Sequence, residues 1–291
     1  MIALHIRKMK EYIKRDDYIE KISPFIGKEL IKVLTGQRRV GKCYLLFQII
    51  DEIKSINSDA NIVFINMELF EFADIKDYKD LITYVNARVT TDKKNYVFID
   101  EIQDIENFEK ALRHFQASNT AEIFCTGSNA SLLSGELSTL LSGRHIEFHV
   151  SGLPYSEFIK FQDIEDNNDS LHRYIRFGSL PYLRNLPNDE AVVYEYIKSV
   201  YNKILYKDIV RRFNIRNTAL LDNLLRFLID NIGSIFSAKK ISDYLKNQKI
   251  NLSPKLIIVY LKHFEDAFLL YDVKRFGITG KKIFEVGEKY Y

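Results

Sequence analysis

Apolar positions follow two rhythms along this chain. Up to about residue 150, short apolar runs alternate with longer stretches at helical spacing, and beyond that point the helical spacing takes over. Residues 30–35, 61–66, 96–99, 121–126 and 145–150 read as five buried strands. They are apolar along most of their length, as parallel strands covered on both faces should be. Between them, residues 44–53 place Leu45, Leu46, Ile49, Ile50 and Ile53 on one helical face. Residues 74–88, 107–117 and 131–141 complete the intervening helices. Ahead of the first strand, residues 1–14 mix basic and apolar positions at helical spacing, and Asp16-Asp17 is expected to cap a helix over 18–25. Alternating strands and helices predict an α/β domain with a parallel sheet and right-handed crossovers.

Gly152-Leu153-Pro154 marks the change of rhythm. Helices are predicted over 155–161, 170–177, 189–210 and 218–232, with an acidic, Asn-rich connector at 163–169 and a break at Phe177-Gly178-Ser179-Leu180-Pro181. Two more helices, 237–247 and 253–264, precede strands at 267–275 and 282–286, with Gly277 and Gly280 in the turn. Helix, helix and hairpin make a winged-helix-like outline. The expected division is 1–152 for the α/β domain, 153–235 for a helical segment and 236–291 for the winged-helix-like module.

Composition narrows the class. Hydrophobic residues make up 46% of the 291, enough for packed cores in about two domains. A net charge of +3 does not by itself argue for nucleic acid. No apolar run approaches a membrane span, and no secretory signal is read at the start. Cys43 and Cys125 imply no disulfide framework, so a cytoplasmic setting is expected. The histidines and cysteines show no zinc spacing.

The candidate chemistry begins at Gly36-Gln37-Arg38-Arg39-Val40-Gly41-Lys42-Cys43, followed by Tyr44 at the helix start. The spacing is that of a phosphate-binding loop, G-x-x-x-x-G-K-[ST], lying between a predicted strand and a helix. Glycines permit the close backbone approach, amide N–H groups at the helix N-terminus meet phosphate oxygens, and Lys42 reaches the β- and γ-phosphates. These nine residues form the candidate nucleotide-binding set. Cys43 and Asp100 stand at the positions expected to face Mg²⁺, with a thiol where a hydroxyl is usual. Glu101 is the candidate general base for the attacking water. Ser128 or Asn129, after the fourth strand, could hydrogen-bond the γ-phosphate or the water. Arg144, just before the fifth strand, is either an arginine finger for a neighbouring subunit or a surface residue. The plainer alternatives are a glycine-rich turn that holds a lysine and an acidic turn after a core strand.

Taken in order, Gly36-x-Arg38-Arg39-x-Gly41-Lys42, Phe98-Ile99-Asp100-Glu101-Ile102-Gln103, Thr126-Gly127-Ser128 and Ser142-Gly143-Arg144 resemble the AAA+ ATPases of bacteria and archaea whose phosphate loop carries a double arginine. Leu153-Pro154-Tyr155-Ser156-Glu157-Phe158 and Gly178-Ser179-Leu180-Pro181 are similar to further stretches of that family. The resemblance covers about residues 16–291. It implies Walker A at Gly36, Gly41 and Lys42, Walker B at Asp100 and Glu101, a sensor at Ser128 and a finger at Arg144. It also implies a helical segment, a winged helix and a further nuclease-like C-terminal domain, of which this sequence is expected to stop short. Two departures stand out: Cys43 and the end at Tyr291. The expected activity is ATP binding and Mg²⁺-supported hydrolysis, slowed by Cys43. It would act on DNA or a protein partner, in a homo-oligomer if Arg144 works in trans. The alternative is a nucleotide switch that does not hydrolyse and whose winged helix contacts proteins.

Overall fold

The computed structural model describes residues 12–130, 143–273 and 288–291. The helices expected over 1–14 and 131–141 and the strand over 282–286 fall mainly or wholly outside the described residues. The chain divides into two compact units, Met1–Ile197 and Lys198–Tyr291. The boundary expected at residue 152 lies inside the first.

The first unit is built on five parallel strands: β1 (Ile31–Thr35), β2 (Asn61–Asn66), β3 (Asn95–Asp100), β4 (Glu122–Gly127) and β5 (His145–His149). Their order across the sheet is β2-β3-β4-β1-β5. β4 pairs with β1 in register Lys32↔Phe124 and with β3 in register Phe98↔Phe124, so it separates them. Because all five run the same way, the ends of β1, β3 and β4 open on one edge of the sheet.

Side chains along a strand alternate between faces. Ile31, Val33, Val97, Ile99, Ile123 and Cys125 face one side. They pack with Leu81 and Val85 of helix α3 (Tyr78–Asn86) and with Ala111, Leu112 and Phe115 of helix α4 (Phe108–Ser118). Leu34, Phe64, Phe98 and Phe124 face the other side. They pack with Leu45, Leu46, Ile49, Ile50 and Ile53 of helix α2 (Lys42–Ile56), the face read from the sequence, and with Ile22 of helix α1 (Asp16–Ile22). Burying both faces explains why the strands read as unbroken apolar runs. The exception is Lys32, fully buried in β1, whose Nζ lies 2.6 Å from Glu122 Oε1 and donates to Lys28 O at 2.6 Å. Burial lowers the lysine's proton affinity, and Glu122 works against that shift.

Several boundaries differ from expectation. Arg15, not Asp16 or Asp17, occupies the cap position of α1, and the two aspartates sit in its first turn. α3 starts four residues later than expected, because Asp77 and Asp80 form a capping box there. After Leu153, helix α5 (Tyr155–Gln162) places Phe158 and Phe161 in a small core with Leu153, and Tyr174 of helix α6 (Asn168–Phe177) packs against it. The expected helix over 189–210 is α7 (Glu190–Lys203), which runs on as a π-helix over Ile204–Arg211.

In the second unit, helices α8 (Thr218–Asp230), α9 (Ala238–Asn247) and α10 (Pro254–Asp266) accompany a three-stranded antiparallel sheet ordered β6-β8-β7. Asn217, Ser237 and Ser253 cap the three helices with their side chains. β6 (Ile235–Phe236) has no counterpart among the expected strands. β7 (Asp272–Val273) starts five residues later than the expected 267, because α10 ends at Asp266 and a turn follows. β8 (Glu288–Tyr290) pairs with both.

Candidate functional site

The loop after β1 meets α2 as the sequence predicts. Gly36 adopts φ +143°, and a Cβ there would stand 2.0 Å from the carbonyl oxygen of Val150. Only glycine lets the loop pass so close to the end of β5. Gly41 adopts φ +97° and caps α2, which starts at Lys42. The first N–H groups of a helix have no partner within it, so this terminus is a place for an anion. Lys42 is 5% exposed, and its ammonium donates to Gly36 O at 2.7 Å and Gln37 O at 3.0 Å.

The neighbouring strands deliver the acids. Asp100 ends β3 and is buried, and Thr126 of β4 donates to its Oδ1 at 2.5 Å. Burial raises the Asp100 carboxyl above its ordinary range, against the hydrogen bonds from Thr126 and Cys43. Glu101 follows in the left-handed region at φ 56°, a conformation that costs a non-glycine residue on the order of 1 kcal/mol or more. Its backbone N–H donates to Thr126 Oγ1 at 2.9 Å, which fixes that turn. Its Oε2 accepts from Ser128 Oγ at 3.1 Å and from Gln103 Nε2. Burial pushes the Glu101 carboxyl up, but Lys42, Arg38 and the hydrogen bonds from Gln103 and Ser128 together outweigh it and hold the group below its usual range. A carboxylate kept ionised inside a cleft is the form a general base needs.

Cys43 departs from expectation. A helix N-terminus and a neighbouring lysine ordinarily lower a thiol's pKa. Burial raises it strongly instead, with Asp100, Glu68 and Glu101 adding to the rise, and the thiol is hydrogen-bonded to Asp100.

These groups share one cleft of about 670 Å³, lined among others by Arg38, Arg39, Gly41, Lys42, Cys43 and Tyr44 together with Glu68, Asp100 and Glu101. That volume is in the range of small-molecule sites. Tyr12, Ile13 and Phe161 supply apolar lining, Arg184 and Asn185 polar lining. Ser128 joins the site through Glu101. Arg144 does not reach it. That residue is exposed and precedes β5, and its carbonyl accepts from Ile31 N at 3.0 Å at the opposite edge of the sheet. Five residues of β5 put it roughly 16 Å from the loop's end of the sheet.

Sequence reasoning missed three residues. Arg15 is buried, donates to Val40 O at 3.2 Å and Ser151 O at 3.1 Å, and pairs with Glu157 at 2.8 Å. It therefore ties the phosphate loop to α5. Glu68, just after β2, lies 3.5 Å from Arg38. Thr126 orients Asp100 and Glu101 at once. Thr126 lay in a stretch already singled out, but no local pattern marks Arg15 or Glu68.

Residues 28–159 match a family model described as an AAA domain, and residues 168–291 match one described as a domain of unknown function, DUF8612. A Haemophilus influenzae relative described as "Uncharacterized protein" is 33% identical over 288 residues, which cover 97% of this chain and 72% of the relative. "Uncharacterized protein MJ1544" of Methanocaldococcus jannaschii is 32% identical over 291 residues, 96% of this chain and 63% of the relative. Among solved structures, the Aeropyrum pernix Orc1 protein in complex with DNA is similar at a TM-score of 0.44 and 10% identity, covering 96% of this chain and 89% of that one. Caenorhabditis elegans PCH-2 is similar at 0.36 and 17%, covering 61% and 46%. Among the described residues, no helix is long and apolar enough to cross a membrane.

Proposed function

The chain belongs to an AAA+ family, the one that holds the Haemophilus influenzae protein, and on that premise we propose that it binds ATP and hydrolyses it slowly with Mg²⁺. One observation carries this reading: Lys42, at the start of α2, and the Asp100-Glu101 pair, at the end of β3, line a single cleft. ATP and Mg²⁺ supply the phosphoanhydride and the charge that offsets its oxygens. The glycine-flanked loop cradles phosphate, and Lys42 exchanges its loop carbonyls for phosphate oxygens. Glu101 takes the proton of the attacking water, and Ser128 orients Glu101.

The donor set fits Mg²⁺ through Asp100 and not through Cys43. A protonated, soft thiol that spends its hydrogen on Asp100 is a poor partner for a hard cation. Among the described residues, no group of three or more His, Cys, Asp or Glu could hold a metal ion. Asp100 would hold the ion, and the ion would supply charge that offsets the phosphate oxygens, without help from Cys43. This is the basis for slow turnover. The test is phosphate release by purified protein with Mg²⁺, beside Glu101→Gln and Cys43→Ser. Glu101→Gln is expected to bind ATP without turning it over, and Cys43→Ser to turn it over faster. Turnover in Glu101→Gln equal to the native protein's would remove the assignment of the base. The free cysteines Cys43 and Cys125 fit a reducing, cytoplasmic setting.

A second reading concerns the C-terminal unit. The exposed face of α10 carries Leu256, Ile258 and Val259 between Lys255 and Lys262. Phosphate backbones are met by cations and hydrogen-bond donors, so this face fits a protein partner better than DNA. Filter binding to duplex DNA at low salt tests it, and tight binding would favour the DNA role instead.

A further inference from the structure

We propose that Arg38 is a positioning residue for Glu101 rather than a ligand of the phosphates, an inference that rests on the nucleotide reading of the cleft. Its place inside a phosphate loop suggests the opposite role. The geometry assigns it to carboxylates. The Arg38 guanidinium is 5% exposed, with Nη1 3.5 Å from Glu68 Oε1 and 3.8 Å from Glu101 Oε2. Three donors thus gather around one oxygen of Glu101: Arg38, Gln103 Nε2 and Ser128 Oγ. The other oxygen, Oε1, carries none of these contacts and is the one left to a water. At its other end, the Glu101 backbone is pinned by Thr126.

A glutamate has three rotatable side-chain bonds and samples many rotamers unless its head is held. Holding it matters, because proton transfer needs the base within hydrogen-bond reach of the water. Arg38 offers a flat, permanently charged fork that can serve two carboxylates together. Glu68 follows β2, Glu101 follows β3 and Arg38 follows β1. One side chain therefore ties three strand ends together. A shift of the phosphate loop moves Arg38, and with it the carboxylate that would activate the water.

The experiment uses the full chain and the variants Arg38→Met, Arg38→Lys and Glu68→Gln. Calorimetry with MgADP and MgATP reads binding, and steady-state phosphate release reads kcat and KM. Arg38→Met is expected to keep its nucleotide Kd within about twofold while kcat falls by about tenfold or more at unchanged KM, the pattern of an interaction used only at the chemical step. Arg38→Lys and Glu68→Gln should lie between it and the native protein. A tenfold loss of nucleotide affinity in Arg38→Met would make Arg38 a phosphate ligand and overturn the proposal, as would an unchanged kcat. A third arm needs no nucleotide: urea unfolding of Arg38→Met, Glu101→Gln and the double variant. Coupled residues give non-additive midpoint shifts, and additive shifts would overturn the proposal. If the native protein binds no nucleotide, the nucleotide reading fails alone, and this arm still decides whether Arg38 holds Glu101. If it binds without turnover, the binding and unfolding arms decide.

Discussion

Lys32 and Glu122 form a buried ion pair in the first unit. A fully buried ammonium in the second-to-centre strand must find a countercharge, and Glu122 Oε1 supplies it at 2.6 Å. Glu122 also accepts from Gly27 N and meets Lys94 at 3.6 Å. Removing the acid strands the lysine, and breaking a buried pair in this way costs about 3–5 kcal/mol. Glu122→Ala should therefore lower stability by that order in urea unfolding, whereas Lys32→Met should be milder because it leaves no uncompensated buried cation. Equal costs for the two would show that packing matters here and charge does not. At this scale the sequence was informative where chemistry is contiguous. Asp100 and Glu101 are neighbours, Lys42 follows Gly41, and a local motif found them. It was silent where the partner lies far along the chain. Arg15 meets Glu157 and Arg38 meets Glu68, and periodicity carries no record of such pairs.

At the scale of elements, α3 shows how a side chain sets a boundary. The apolar pattern allows a helix from residue 74, but it starts at Tyr78 because Asp77 accepts from the N–H groups of Lys79 and Asp80, while Asp80 accepts from Asp77 N. Loss of such a cap costs about 1 kcal/mol. Asp77→Ala should lower the unfolding midpoint accordingly, and a shift indistinguishable from zero would mean that packing against α4 alone sets this helix. The five strands were legible because burial on both faces writes them as apolar runs. β6 was not, since two residues are too few to show a period, whereas β7 falls inside the strand expected over 267–275. The π-helix over Ile204–Arg211 was equally hidden, because a change of winding within a continuous helix leaves the apolar spacing nearly intact.

At the scale of the molecule, the parallel sheet gathers the ends of β1, β3 and β4 on one edge and leaves Arg144 at the other. The order β2-β3-β4-β1-β5 follows from no local pattern, and it decides which residues meet. The AAA+ assignment was legible from motif order, while the division at Ile197 was not, because α7 runs across it. Arg144 cannot serve the cleft of its own subunit, so any role in turnover requires a second copy. Specific activity should then rise with protein concentration. Mixing Arg144→Ala with Glu101→Gln should restore part of the lost activity, since one mixed interface keeps both groups. Activity independent of concentration and without rescue would leave Arg144 a surface residue. Nucleotide-induced thermal stabilisation reads whether the cleft lined by Gly41 and Lys42 holds ATP through Lys42. Ligand at about a hundred times its Kd adds about 2.7 kcal/mol to the native state. The native protein should melt several degrees higher with ATP. Lys42→Ala should melt near the ligand-free native temperature and gain little from ATP. An equal gain in both proteins would mean that Lys42 does not hold the nucleotide.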